Sequence, residues 1–338
     1  MRLKFIFLLI LILCLLMSLS CEKAQKAEVI IYTSVDENYS KVILEEFEKK
    51  TEIKVKAVFD VEATKSAGLA NRLMAERNNP QADVFWSGEP MHIIILKGKG
   101  VLEKYKSPSA SDIPGQFKDP EYFWTGFSGR VRVIIYNKNL VRTEDVPSSI
   151  FDFTEEKYRG KFAVANPLFG TTTFHFISLF NVLGEEEAVN YFKRLKANEA
   201  RVVDGNSVVR KLVELGEIEM GLTDSDDAEL SLLSGKNVGI VYPDKDSIGT
   251  LPMPNMVALI KGGPNPDNGK KFIDYLLSRE VEEKLISIKW SKFSIRDVST
   301  DKPIDKMGKK IKLMPVDFEK IASIKEKALK KIRSIFQL

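Results

Sequence analysis

Residues 82–90 read Ala-Asp-Val-Phe-Trp-Ser-Gly-Glu-Pro, and this stretch decides the fold of the chain. The apolar, β-forming residues 84–86 predict a buried strand of a parallel sheet. Ser87 and Glu89 follow directly, and Pro90 is typical of the first position of a helix. Ligands of open α/β sheets bind at the carboxyl ends of the strands, so the stretch predicts a binding site. The alternative is an ordinary strand–helix turn in which Glu89 merely favours the helix start.

The neighbouring sequence predicts alternating strands and helices. Strands are expected at 29–32 and 54–59, and the spacing of Tyr39, Ile43 and Phe47 predicts a helix between them. The chain therefore opens as strand–helix–strand–helix–strand, the pattern of a parallel, doubly wound α/β layer. A second unit of the same kind follows, with strands predicted at 162–165, 201–203, 220–222 and 240–242.

Two longer strands are predicted to connect these units. Residues 123–137 form the first crossing, with Arg130 and Arg132 at alternate positions, and residues 251–260 form the return crossing. Near the end of the chain, residues 317–336 predict an amphipathic basic helix whose apolar face packs on the body of the protein.

The first 21 residues have the pattern of an export signal, because two basic residues precede a short apolar run and a small-residue cleavage zone. Cys21 stands where bacterial lipoproteins carry their lipidated cysteine, although Ser18 replaces the usual leucine three residues before it. We therefore expect residues 1–21 to be a lipoprotein signal peptide, residues 22–27 a tether, and Cys21 the lipid anchor to a membrane surface. The alternative is a soluble protein cleaved nearby.

Composition and charge limit the classes of partner. The chain has 338 residues, 44% hydrophobic and 29% charged, which is enough for two lobes with sizeable cores. Its net charge of +4 falls to about +2 without Arg2 and Lys4 of the signal, which is too little for a nucleic-acid-binding protein. Cys14 also lies in the signal, so the mature chain is expected to contain no disulfide and no catalytic thiol.

Hydroxyl groups recur after the predicted strands. Hydroxyls and backbone N–H groups at helix N-termini form a site for anions, so these residues are candidates for holding an oxyanion. For any one such loop the alternative is that the hydroxyl caps its own helix. The candidates are Thr33, Ser34, Ser87, Thr171 and Thr172.

Acidic and amide groups follow other strands of the second unit. Carboxylates accept hydrogen bonds from sugar hydroxyls or amines and also ligate hard cations. Together with an anion site they predict a small zwitterion, a phosphorylated polyol or a chelated cation as ligand, with Arg130 supplying charge near the hinge. The alternatives are solvated helix starts for the acids and an interlobe salt bridge for Arg130. The candidates are Asp204, Asn206, Asp224, Ser225 and Asp227, with Glu89 from the first unit.

Signs of an enzyme are weak. The chain contains two histidines, His92 and His175, and neither occurs in a zinc-binding spacing. Core or capping roles are expected for both. We predict no catalytic residue and no cofactor; the competing hypothesis is an enzyme on the same fold that uses Glu89 and Asp224 for acid–base chemistry.

Taken together, the chain resembles family 1 bacterial extracellular solute-binding proteins of ABC importers, in the ferric-iron, phosphonate and sugar-phosphate branch. The resemblance covers nearly all of residues 28–298. The motifs that carry it are Ile31-Tyr32-Thr33-Ser34, Ala82-Asp83-Val84-Phe85-Trp86, Gly129-Arg130-Val131-Arg132, Gly221-Leu222-Thr223 and Pro254-Asn255.

The resemblance implies a type II periplasmic-binding-protein fold, with two α/β lobes joined by two crossing hinge strands that close on a solute. Lobe 1 would comprise residues 28–131 and 256–298, and lobe 2 residues 132–255 and 299–338. It also implies ABC permease subunits as partners and a location on the periplasmic or extracellular side of the membrane.

The chain departs from the ferric-binding pattern of the family. Adjacent tyrosines are expected after the Gly-Leu-Thr strand, but this chain has Asp224-Ser225-Asp226-Asp227 there. The histidine often found after the first strand is also absent. We therefore favour a phosphonate, a sugar phosphate or another oxyanion as solute; the alternative is a ferric ion held by Glu89, Asp224 and Asp227 with a bound anion.

Overall fold

The computed structural model describes residues 27–60, 67–288, 294–296 and 312–338. The predicted signal peptide, Cys21 and all but the last residue of the predicted tether lie outside the described residues. Within them, no helix combines the length and apolar character needed to cross a membrane.

Strands and helices alternate as the sequence predicted. The strands are β1 Glu28–Thr33, β2 Lys54–Phe59, β3 Val84–Ser87, β4 Leu102–Glu103, β5 Thr125–Asn137, β6 Phe162–Ala165, β7 Arg201–Val203, β8 Met220–Asp224, β9 Val238–Val241 and β10 Pro252–Ile260. The α-helices are α1 Glu37–Thr51, α2 Ala67–Ala75, α3 Pro90–Gly98, α4 Gly170–Leu183, α5 Glu185–Ala197, α6 Asn206–Leu215, α7 Ser225–Leu233, α8 Pro266–Leu276, α9 Arg279–Ser287 and α10 Phe318–Phe336.

The strands form one continuous sheet in the order β2-β1-β3-β10-β5-β8-β6-β7, with β4 added to β10 and β9 added to β5. The outer strands pair in parallel on both sides, β1 with β2 and β3, and β6 with β7 and β8. The two long strands β5 and β10 run antiparallel to their neighbours at the centre. This is the α/β class predicted from the alternating pattern.

The partner of β5 changes along its length. Its residues up to Val131 pair with β10, and its residues from Arg132 onward pair with β8. We call the side with β1–β4 and β10 the first half of the molecule, and the side with β6–β9 the second half. Because parallel strands of each half end near this change, it positions the predicted binding residues of both halves close to one another.

Each half has an aromatic core. In the first half Trp86 contacts Phe127 with ring centroids 6.1 Å apart, and both side chains are fully buried. In the second half Phe153 stacks on Phe162 at 4.6 Å. All four residues of β3 are buried, which confirms the continuous apolar run as a strand covered on both faces.

The C-terminal helix α10 is amphipathic as predicted and buries Phe318, Ile321, Ala328, Ile332 and Phe336. It packs against α4 and α5 of the second half and also against α3 of the first half. The contacts with α4 and α5 agree with the predicted placement of residues 299–338 in the second lobe. The contact with α3 was not part of that prediction.

Candidate functional site

The hydroxyls predicted in the first half lie together at the carboxyl ends of β1 and β3. Ser34 Oγ accepts a hydrogen bond from the backbone N–H of Gly88 at 3.1 Å and lies 3.4 Å from Ser87 Oγ. Thr33 Oγ1 accepts from the backbone N–H of Val35 at 3.1 Å. All three side chains are buried and hold the strand ends in place.

Glu89 is the N-cap of α3. Its carboxylate accepts hydrogen bonds from the backbone N–H groups of Met91 at 2.8 Å and His92 at 3.2 Å, and it contacts the His92 ring. Burial alone would raise the pKa of Glu89, but the His92 imidazole and these N–H groups lower it. In this conformation Glu89 serves the helix start, which is the alternative that the sequence left open.

The second half holds a buried network centred on Arg132, a residue absent from the predicted site. The Arg132 guanidinium is fully buried, and its Nη1 donates to Thr171 Oγ1 at 3.0 Å, Asn206 Oδ1 at 3.1 Å and Asp224 Oδ1 at 2.5 Å. Its Nη2 donates to Thr172 Oγ1 at 3.2 Å. Four predicted residues from α4, α6 and β8 thus share one arginine.

Further hydrogen bonds close this network. Thr171 donates to Asp224 Oδ2 at 2.8 Å, and the Asn206 amide donates to Thr171 Oγ1 at 2.7 Å. Burial would raise the pKa of Asp224, but the guanidinium groups of Arg132 and Arg130 hold it below its usual value. Asp224 is therefore an ionised acceptor at neutral pH.

Arg130 connects the two halves. Its Nη2 donates to the backbone carbonyl of Gly88 in the first half at 3.0 Å, and its Nη1 donates to Asp226 Oδ2 in the second half at 3.1 Å. The same nitrogen lies 3.7 Å from Asp224. Burial would lower the pKa of Arg130, but Asp226 and Asp224 raise it, so the side chain carries a fixed positive charge.

Three carboxylates, Asp224, Asp226 and Asp227, lie around the start of α7, with ligand atoms within 4.8 Å of one another. Burial and the neighbouring aspartates raise the pKa of Asp227 to about 7, and burial together with Asp224 raises the pKa of Asp226. Three guanidinium groups face this cluster, because Arg210 lies 3.7 Å from Asp227 in addition to Arg130 and Arg132.

Tyr39 of the first half is influenced electrostatically by this cluster. The sequence placed it on the apolar face of a helix, and it lies on α1 as expected, but it is only partly buried. Burial raises the pKa of Tyr39, and Asp226, Asp36 and Asp227 raise it further. The carboxylates of the second half are thus close enough to act on a phenol of the first half.

The remaining predicted residues lie outside this arrangement. Ser225 is fully buried, and its Oγ accepts from the backbone N–H of Val131 at 3.2 Å, so it supports β5. Asp204 is exposed at the end of β7. His175 is buried in α4, where burial and Arg132 lower its pKa to about 3. It therefore remains neutral, in agreement with the core role predicted for it.

Two described cavities lie away from these residues. One of about 550 Å³ is lined by Tyr136, Ile240 and Tyr242. The other, of about 580 Å³, lies between α1 and α9. Neither is lined by a predicted site residue, and the strand ends of the two halves instead contact each other directly through Arg130.

Residues 32–283 match the model of the family described as bacterial extracellular solute-binding protein. The chain belongs to this family. The match confirms the resemblance that the sequence motifs indicated.

The relatives of this chain are named for different solutes. The chain is 28% identical over 263 residues to a putative 2-aminoethylphosphonate-binding periplasmic protein of Salmonella typhimurium, covering 75% of this chain and 74% of that one. It is 24% identical over 295 residues to iron uptake protein A1 of Synechocystis sp., covering 84% and 80%.

A solved structure confirms the predicted architecture. The periplasmic binding protein AfuA of Actinobacillus pleuropneumoniae, solved with exogenous fructose-6-phosphate bound, superimposes with a TM-score of 0.78. The two sequences are 25% identical, and the alignment covers 93% of this chain and all of the other. This solute-binding protein therefore has the two-lobe type II fold that the sequence predicted.

Proposed function

We propose that this protein is the lipid-anchored solute-binding component of an ABC importer and that it captures a small organophosphorus oxyanion between its lobes. The lobes proposed are residues 28–131 with 256–298, and residues 132–255 with 299–338. The observation that carries the proposal is the position of Arg130, which hydrogen-bonds Gly88 of one half and Asp226 of the other.

The charge balance around Arg130 favours an anion. Asp224, Asp226 and Asp227 face three guanidinium groups, so even if all three carboxyl groups were ionised the group would have no surplus of negative charge for a trivalent cation. A phosphonate or phosphate oxygen can replace the Asp226 carboxylate on Arg130, because guanidinium groups bind both kinds of oxyanion through the same hydrogen-bond geometry.

The start of α4 offers further donors for an oxyanion. Its N-cap residue Phe169 provides no side-chain cap, and the helix begins with Gly170, Thr171 and Thr172. Backbone N–H groups in the first turn of such a helix favour a negative charge. Displaced Asp226 and its neighbour Asp227 would then face the amine or hydroxyl groups of the solute.

The names of two relatives support an organophosphorus solute. Among those compared, one is named for 2-aminoethylphosphonate and one was solved with fructose-6-phosphate. A zwitterionic aminophosphonate and a phosphorylated polyol both combine an oxyanion with groups that carboxylates bind.

The second candidate solute is a ferric ion, and the three clustered carboxylates favour it. Hard cations prefer carboxylate oxygens, and burial together with the neighbouring carboxylates of Asp226 and Asp224 raises the pKa of Asp227. The set would be Asp224, Asp226 and Asp227, with Tyr39 as the nearby phenol, whereas Glu89 caps α3. An iron uptake protein among the relatives is the comparison that supports this candidate.

The enzyme hypothesis has less support. The pKa values of Glu89 and Asp224 are both lowered, so neither carboxyl group is a proton donor at neutral pH. Recovery of an unchanged phosphate ester after long incubation with the protein would dismiss this hypothesis.

Thermal shift measurements distinguish the two solutes through Arg130→Gln. A bound oxyanion at a hundredfold excess over its Kd should raise the Tm of the wild type by about 4 °C, and Arg130→Gln should abolish the rise. Removing a cation beside carboxylates should instead leave ferric binding unchanged or strengthen it. The probes are 2-aminoethylphosphonate, fructose-6-phosphate, inorganic phosphate and ferric citrate.

The matched control is Arg142→Gln, since Arg142 is 72% exposed and pairs with Glu144 and Asp145 on the surface of the second half. It should respond to every probe as the wild type does. If only ferric citrate raised the Tm, and if Arg130→Gln retained that rise, the solute would be iron and the oxyanion proposal would be wrong.

Lipid anchoring is tested separately by Cys21→Ser. We propose that the mature protein begins at Cys21 with a lipid attached, so the variant should leave the membrane fraction after export, and the lipid mass should be missing from its N-terminal peptide. A wild-type protein cleaved at another position, without added lipid mass, would contradict the anchor.

A further inference from the structure

The C-terminal helix α10 is anchored mainly to the second half. Phe336 near its end contacts Phe176 of α4 at 6.1 Å and Phe192 of α5 at 6.4 Å between ring centroids. Lys331 pairs with Glu185 at the start of α5 at 2.9 Å. These contacts make the body of α10 part of the second half.

The first turn of α10 also contacts the first half. The ring of Phe318 lies between Trp124, at 5.6 Å, and Phe174 of α4, at 6.0 Å. Trp124 directly precedes β5 and belongs to the first half, whereas Phe174 belongs to the second. Phe318 is therefore an aromatic bridge between the halves, and it is 5% exposed.

An ion pair reinforces this bridge. Glu319 lies 2.7 Å from Nζ of Lys97, near the end of α3 in the first half. Lys97 also pairs with Asp119, a fully buried side chain of the same half. The Lys97 ammonium is thus held in place by its own half and presented to Glu319, which reduces the conformational entropy lost when the pair forms.

We propose that the first turn of α10 is a clamp that holds the two halves in the arrangement in which Arg130 joins Gly88 and Asp226. The clamp consists of Phe318 and Glu319 on α10, and of Trp124 and Lys97 on the first half. It is remote in sequence from the predicted binding residues, yet it contributes to the same equilibrium between open and closed forms.

The clamp should change the relative populations of the open and closed arrangements of the two halves. Contacts made in one arrangement and lost in another bias the equilibrium toward the first, whether or not a solute is present. Weakening the clamp should therefore populate more open arrangements of the free protein. If the proposed function holds, solute affinity should also fall, because a smaller fraction of the protein is competent to bind.

Distance measurements between two spin labels test the clamp without any solute. The sequence contains cysteine only at positions 14 and 21, both within the segment that is left out of the labelled protein. Cysteines introduced at Lys41 on α1 and Lys211 on α6 are therefore its labelling sites. Both residues are exposed, and they lie on opposite halves. The protein is prepared without residues 1–21, in agreement with the predicted processing.

Two clamp variants and one control are compared. Phe318→Ala removes both ring contacts, and Glu319→Gln removes the ion pair while keeping the shape of the side chain. Each should increase the population at longer label distances, by about twofold or more for Phe318→Ala. Lys331→Gln breaks an ion pair of the same helix within the second half, and it should leave the distribution unchanged.

Distributions that are identical in wild type and Glu319→Gln, both fully folded by circular dichroism, would overturn the clamp, as would an equal shift in Lys331→Gln. Failure of every solute probe would count against the proposed function but would leave this distance test intact. The two proposals can therefore fail independently.

Discussion

At the scale of single residues, the site is a set of charges that compensate one another. The structure joins Thr171, Asn206 and Asp224 through hydrogen bonds, and their role in binding stays a prediction. Sequence reasoning grouped them because polar residues at the carboxyl ends of parallel strands meet at one edge of a sheet. It missed Arg132 as a site residue. Alternation along β5 placed Arg130 and Arg132 on the same face, but it could not show which side chains of α4, α6 and α7 bind these arginines.

Arg132 is expected to be necessary for stability. Arg132→Leu leaves the buried carboxylate of Asp224 without its main partner and should lower the free energy of unfolding by about 3–5 kcal/mol. Urea denaturation measures the loss. The exposed control Arg159→Leu, whose guanidinium pairs with Glu199 at 48% exposure, should change stability by less than about 1 kcal/mol.

Adding Asp224→Asn to Arg132→Leu should recover part of the loss, because the uncompensated charge is then absent. A double variant that is less stable than Arg132→Leu alone would show that the network depends on hydrogen bonds rather than on charge compensation.

Asp227 is expected to make stability depend on pH. Its pKa rises from the ordinary 3.8 to about 7 in the folded protein, so the folded state binds more protons than the unfolded state between these values. Stability should therefore fall as pH rises from about 4 to 7 through this group. Asp227→Asn should flatten that part of the profile and raise stability at pH 8 by about 1–3 kcal/mol.

The measurement is Tm against pH for wild type and Asp227→Asn under identical ionic strength. Parallel profiles for the two proteins would mean that Asp227 is ionised in the folded state at neutral pH and that Arg210 and Arg130 compensate its charge.

At the scale of elements, local patterns predicted most strands and helices. They did not show which side-chain oxygens are engaged in capping a helix and are therefore not free to bind a ligand. Glu89 is an example: the sequence left ligand binding and a helix-start role open, and the structure shows two backbone N–H groups of α3 occupying its carboxylate. Whether a carboxylate at a helix start is free for a ligand depends on the side-chain rotamer and on neighbours such as His92, which a pattern does not encode.

Gly221 in β8 shows how closely α6 approaches the strand that ends in Asp224. A Cβ atom at Gly221 would lie 2.3 Å from Val209 Cγ1 and 2.9 Å from the carbonyl oxygen of Ala163. Gly221→Ala should therefore lower the free energy of unfolding by about 1–3 kcal/mol. Gly98→Ala, where a Cβ meets nothing within 4 Å, should stay within about 1 kcal/mol of the wild type in the same urea titration.

The contradicting outcome is equal stability of Gly221→Ala and Gly98→Ala. It would mean that α6 can move away from β8 at little cost, and the position of Asn206 beside Asp224 would then be adjustable rather than fixed.

At the scale of the whole molecule, the two-lobe fold could be predicted because two α/β units and two crossing strands have clear periodic signatures. Of the contacts between the halves, the sequence offered an interlobe salt bridge of Arg130 as an alternative, and Arg130 does join Gly88 to Asp226. The approach of Tyr39 and of the first turn of α10 to the opposite half could not be predicted, since these segments lie far in the sequence from the residues they approach. Their proximity depends on the relative orientation of the halves, which is a property of packing and not of any local pattern.

We propose that Arg130, at the junction of the halves, holds the oxyanion of the transported solute. Native mass spectrometry of protein isolated from its own host tests it most directly, with wild type, Arg130→Gln and Arg142→Gln compared side by side. We expect one phosphorus-containing solute per chain in wild type and Arg142→Gln, and none in Arg130→Gln. Bound iron, or a solute without phosphorus that Arg130→Gln retains in full, would contradict it.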